Sequence, residues 1–140
     1  MTETAGGCIT KDALKAAHLC FVYGTLKQGF HNHHVMQRAG GRYIGPAVLP
    51  NHRMFSLGGF PGVVPTNEAI SPVHGELYAV ADWTPLDRLE GYRPADPDNS
   101  MYVRRMVTVQ TPDNGPTLTG AYIWNGRDMD WPNINSGVWV

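Results

Sequence analysis

The sequence predicts an α+β fold built on a mainly antiparallel or mixed sheet. Three observations carry that reading. Strand-length segments outnumber helical ones, and they do not alternate regularly with helices. The 140 residues also hold 16 Gly and 11 Pro with only 16% charged side chains, a turn-rich composition unlike a helix bundle. At this length one domain, 1–140, is expected, with about two-thirds of the unfolded surface buried. Residues 1–18 read as an N-terminal extension. Residues 126–140 read as an irregular tail packed on the body through Trp131 and Trp139.

The elements follow in order. Lys11–His18 is rich in helix formers and predicts a short helix. Leu19–Tyr23 is an apolar run of strand length that Gly24 ends. His33–Ala39 predicts a second short helix, stopped by Gly40 and Gly41. Arg42–Leu57 reads as two short strands, broken at Gly45-Pro46 and Pro50-Asn51 by a turn or bulge. Gly58–Gly62 and Pro65–Pro72 read as loop, and Val73–Val80 as a strand. Thr84-Pro-Leu-Asp87 opens a helix with Thr84 at the N-cap, Pro85 in the first turn and Asp87 at the positive end of the dipole. Gly91 ends it, and Tyr92–Ser100 is loop. Met101–Gln110 and Thr117–Asn125 read as a hairpin turning at Asp113-Asn-Gly115.

Several function classes are disfavoured. Eleven basic against twelve acidic residues give a net charge of −1, without the excess a nucleic-acid module carries. No apolar run approaches the roughly 20 residues that span a bilayer. Met1–Thr10 lacks the basic start and apolar run of a signal peptide, so a cytoplasmic setting is expected. Cys8 and Cys20 form no C-x-x-C pair for zinc or redox work, and Cys20 reads as core.

Glu90 is the first candidate for chemistry. It follows Leu86 by four positions and shares the apolar face of its helix. One reading is a carboxylate that curls out to solvent. The other is an inward carboxylate whose pKa desolvation raises, making it a proton acceptor near neutral pH. Arg105 is the second. Strand alternation puts it on the face of Val103, Val107 and Val109, where it would bind a substrate carboxylate or form a structural ion pair. The third is Val22-Tyr-Gly-Thr-Leu26. Gly24 permits a sharp turn, and the following amides would form either an anion site or an ordinary turn. His31, His33 and His34 are dense, yet their spacing guarantees no common face and no acidic or thiol partner is spaced to complete a site. No metal is therefore assigned.

Taken together, Phe21-Val-Tyr-Gly-Thr-Leu-Lys-Gln-Gly29, Asn32-His-His34, Gly58-Gly-Phe-Pro-Gly-Val63, Val73-His-Gly-Glu-Leu-Tyr78, Leu86-Asp-Arg-Leu-Glu-Gly-Tyr92 and Tyr102-Val-Arg-Arg105 resemble a known family in that order. The resemblance is to the γ-glutamylcyclotransferase-like superfamily, nearest its AIG2-like and γ-glutamylamine cyclotransferase branch. It covers about residues 20 to 125, and Ser136–Trp139 is similar to the tail of some members.

The resemblance implies a small mixed β-barrel with short flanking helices. It also implies release of 5-oxoproline and a free amine from a γ-glutamyl amine or peptide, with no cofactor. The family's catalytic glutamate falls on Glu90, and its glutamyl-holding loop on Tyr23, Gly24, Thr25 and Leu26. Phe60, Tyr102, Arg105 and Tyr122 are implied as pocket lining. Many members hold a tyrosine three residues after the alanine of the last strand. Here Ala121 is followed by Tyr122-Ile-Trp124, so tryptophan stands there, with Tyr122 available on the same strand face. Two other uses of the pocket are open: removal of a γ-glutamyl protecting group from a specialised metabolite, and ligand binding without turnover.

Overall fold

A computed structural model of the chain describes residues 16–126 and 131–140. The helix expected over Lys11–His18 lies outside the described residues up to position 15. Seven strands are present among the described residues: β1 (Leu19–Val22), β2 (Arg42–Leu49), β3 (His52–Ser56), β4 (Pro61–Pro65), β5 (Val73–Ala79), β6 (Tyr102–Thr111) and β7 (Gly115–Trp124). Two short helices, α1 (His33–Arg38) and α2 (Thr84–Glu90), and a 3₁₀ turn at Pro97–Asn99 complete the described elements.

Five strands close into a mixed barrel in the order β1-β5-β2-β6-β7. Four of the pairings are antiparallel; the fifth, β1 with β7, is parallel and shuts the barrel at Cys20↔Gly120 and Phe21↔Ala121. β1 is buried on both faces, which explains its unbroken apolar sequence. Cys20 and Val22 point into a cluster shared with Met36 and Leu86 of the helices. Phe21 and Tyr23 point the other way, to meet Leu49, Val109 and Ala121 of the barrel strands.

The two breaks expected in Arg42–Leu57 separate into different devices. Gly45-Pro46 sits at a β-bulge within β2, where the register with β5 shifts between Tyr43 and Gly45. Pro50-Asn51 is the turn to β3, with Asn51 at φ 63°. The loop expected through Gly62 is corrected. Pro61–Pro65 is β4, paired with β3 in a separate two-stranded sheet from Ser56↔Pro61 to His52↔Pro65. The prolines that read as breakers stand at its two ends, on an edge where missing donors are tolerated.

The expected cap of α2 is also corrected. Thr84 is the first helical residue, and Trp83 occupies the cap position without a side-chain bond. Asp82 Oδ1 instead accepts from the Thr84 N–H at 3.0 Å. At the other end Gly91 adopts φ 65°, the left-handed conformation that costs glycine little, and the Tyr92 N–H returns to the Asp87 carbonyl. This sharp stop leaves Glu90 as the last residue of α2.

Candidate active site

A cleft opens where β1, the loop after it, β4 and α2 meet. The β1 strand delivers Tyr23 and then the turn Gly24-Thr-Leu26, closed by the Lys27 N–H on the Gly24 carbonyl at 3.1 Å. Around that turn, Asn32 Nδ2 donates to Thr25 Oγ1 at 2.9 Å, and His33 Nδ1 bonds the Leu26 carbonyl at 2.8 Å. His33 thus braces the loop, and His34 Nδ1 bonds the His31 carbonyl at 3.0 Å. Among the described residues, nothing accepts from the N–H groups of Thr25 or Leu26.

Glu90 enters the cleft from α2, on the face set by fully buried Leu86. Its carboxylate makes no hydrogen bond or ion pair among the described residues. Burial alone pushes its pKa up to about 7, since no cation offsets the desolvation. The group is therefore poised to exchange a proton near neutral pH.

Tyr23 and Tyr102, both buried, share the cleft with it. Tyr23 donates its hydroxyl to the Tyr122 carbonyl at 2.5 Å, and Tyr102 donates to the Pro61 carbonyl at 2.6 Å. Burial raises both phenols, and the Glu90 charge raises them further. Each proton is committed to a backbone carbonyl, so each phenolic oxygen has only lone pairs left to offer.

Eight of the nine residues singled out in the sequence line this cleft: Tyr23, Gly24, Thr25, Leu26, Phe60, Glu90, Tyr102 and Tyr122. Phe60 stands at its lip, 37% exposed. Arg105 does not line it, and the inward orientation expected for it is corrected. Arg105 is exposed in a separate groove beside His52 and Ile123. A long cationic stem reaches water readily wherever the barrel surface is open.

The organised cation is its neighbour Arg104, which donates to Asp87 at 3.1 Å and lies 4.2 Å over the Trp83 ring. Asp87 also accepts from the Tyr122 hydroxyl at 2.6 Å, tying α2 to β6 and β7. Sequence reasoning gave Asp87 only a dipole role and passed over Arg104. The adjacent Arg-Arg pair held the signal, in the opposite strand phase. Trp124 stands edge-on to Tyr102 at 5.4 Å, outside the cleft lining, and its buried Nε1 has no partner among the described residues.

Gly24 supplies a further constraint. A Cβ there would lie 2.8 Å from Pro61 Cγ. Gly24→Ala is expected to push the Pro61 wall outward and reduce kcat/KM by up to about 100-fold, because catalysis is sensitive to displacements near 1 Å. Steady-state kinetics beside a circular-dichroism spectrum checks that the loss occurs in a folded protein.

The fold and the cleft define a class: a small closed mixed barrel with one desolvated carboxylate at the end of a short helix. Within it, the chain belongs to the family described as gamma-glutamyl cyclotransferase, AIG2-like, whose profile matches residues 20–140. The Escherichia coli gamma-glutamylcyclotransferase family protein YtfP is 36% identical over 120 residues, covering 86% of this chain and 94% of that one. The gamma-L-glutamyl-butirosin B gamma-glutamyl cyclotransferase of Niallia circulans is 30% identical over 111 residues, covering 77% and 67%. The crystal structure of an AIG2-like protein from Mus musculus superposes with a TM-score of 0.66 at 25% identity, covering 85% of this chain and 86% of that one. The barrel architecture is thus that of the family, and the family is one of enzymes. No helix among the described residues is long and apolar enough to cross a membrane.

Proposed function

We propose that the protein converts a γ-glutamyl amine or peptide into 5-oxoproline and a free amine, with Glu90 as general acid and base. The observation that carries this reading is the desolvated Glu90 carboxylate, without a partner among the described residues and with its pKa raised to about 7. The cleft holds both kinds of group that an α-amino acid needs. Glu90 and the two phenolic oxygens are acceptors, and the Thr25 and Leu26 N–H groups have no acceptor among the described residues. The amides receive the substrate's α-carboxylate. Glu90, Tyr23 and Tyr102 accept from its α-ammonium.

The reaction then balances within the bound substrate. Glu90 takes a proton from the α-ammonium, and the freed amine attacks the γ-carbonyl carbon, closing a five-membered ring. The protonated Glu90 delivers its proton to the leaving nitrogen as the γ-amide C–N bond breaks. A second proton from the ring nitrogen follows by the same relay. One proton of the three stays on the lactam nitrogen, and two depart with the amine as its ammonium. The nucleophile is part of the substrate, and such intramolecular attack reaches effective molarities of about 10⁵–10⁸ M. The protein's task is to fold the substrate and move the protons.

The test is release of 5-oxoproline from a panel of γ-glutamyl amines and dipeptides, with γ-L-glutamyl-butirosin B included because of the Niallia circulans relative. Turnover of one class identifies the amine. Tight binding of a panel member without turnover would replace this reading with the binding one.

A further inference from the structure

Lys27 is the one buried lysine or arginine among the described residues, 8% exposed. The mechanism above gives it no role. It directly follows the Gly24-Thr-Leu26 turn, and its own N–H closes that turn. Its ammonium donates to the Trp139 carbonyl at 2.9 Å and lies 4.7 Å from the Phe30 ring centroid. Desolvation lowers its pKa, and Glu76 offsets this only in part. A half-buried ammonium held by a neutral carbonyl and a ring face is a modest source of stability, because desolvation offsets such contacts. A methionine would fill the same space without that cost. The charge therefore calls for an explanation other than packing.

Its partner supplies one. Residues 131–140 form a strap pinned to the barrel body at successive points. The Ser56 N–H donates to the Pro132 carbonyl at 2.9 Å, the Ile134 N–H to Met54 at 2.8 Å, and the His74 N–H to Gly137 at 2.8 Å. Trp139 packs against the core cluster that contains Phe21 and Tyr23. The strap is thus fixed at three points on two strands, β3 and β5, before it meets Lys27, 112 residues away in sequence. On the far side of the loop the Gln28 N–H donates to Glu76 Oε1 at 3.0 Å.

We propose that Lys27 is a positioning residue, whose tie to the Trp139 carbonyl sets the Thr25 and Leu26 amides at the height where they receive the substrate's α-carboxylate. This rests on the cyclotransferase reading. A carboxylate contact that is equal in ground and transition states governs KM rather than kcat.

The experiment compares L-glutamate with 4-aminobutyrate, which lacks the α-carboxylate, by calorimetry on native protein, Lys27→Met and Lys27→Arg. Lys27→Met is expected to weaken glutamate about tenfold, leave 4-aminobutyrate unchanged, and raise KM with kcat within about twofold. Lys27→Arg, which keeps a cationic donor, restores most of the glutamate affinity. If Lys27→Met does not fold, Lys27→Gln carries the same comparison with a shorter, neutral donor. Equal weakening of both ligands, or of neither, overturns the proposal. Native protein that binds glutamate no better than 4-aminobutyrate overturns the assignment of the amides themselves, and so the reading on which the proposal rests.

Discussion

Glu90→Gln is expected to lower kcat by about 10²- to 10⁴-fold, the usual worth of a positioned acid–base group. The amide keeps the size of the side chain and can neither take nor return a proton. The same substitution is expected to stabilise the fold. Glu90 has an ordinary pKa near 4.5 in the unfolded chain and about 7 in the folded one, so the folded state binds more protons between those values. Native stability therefore falls as pH rises through that window. The gain from Glu90→Gln is absent below pH 4.5 and complete above 7, at up to about 3 kcal/mol. Urea denaturation at pH 4.5 and pH 8 checks it. In native turnover, kcat/KM rises with pH through about 7 as Glu90 ionises. A Glu90→Gln variant with undiminished kcat would remove the proton relay from the account.

Gly75→Ala is expected to produce a large stability loss. Gly75 lies in β5 beside the end of β1, and a Cβ there would collide with the Val22 carbonyl oxygen. The nearest side-chain atom is Phe21 Cζ at 2.7 Å, in a ring with no exposure at all. A flexible side chain could swing aside, but a backbone carbonyl within a barrel strand and a fully packed ring cannot. Forced overpacking of this kind costs about 3 kcal/mol or more. For a chain of this size that lowers Tm by roughly 10 °C, readable by calorimetry. An unchanged Tm would mean that β1 and β5 separate more easily than their packing indicates.

Local patterns in the sequence reached far into this molecule. The five-residue apolar run of β1 reports a strand buried on both faces, and Asp113-Asn-Gly115 marks the β6–β7 hairpin. Glu90 is legible as inward because Leu86 lies one helical turn before it. What escaped was set by contacts distant in sequence. Closure of β1 on β7 joins residues 100 apart, such as Cys20 and Gly120, and leaves no local mark. The strand Pro61–Pro65 is hidden because two prolines and a glycine signal a loop, unless its partner β3 is known. Arg105 was misplaced because alternation gives a side chain's phase but not whether the surface there is covered. Arg104 owes its order to Trp83 and Asp87, which the chain brings back from another element. The raised pKa of Glu90 likewise follows from desolvation by the assembled walls of the cleft.

The central claim is that the substrate's own amine, and not water, attacks the γ-carbonyl. Turnover of a γ-glutamyl amine in ¹⁸O-labelled water, followed by mass spectrometry, tests it most directly. The account predicts unlabelled 5-oxoproline in one-to-one ratio with the released amine. Glutamate carrying ¹⁸O would show that Glu90 activates water instead, and would make the protein a hydrolase.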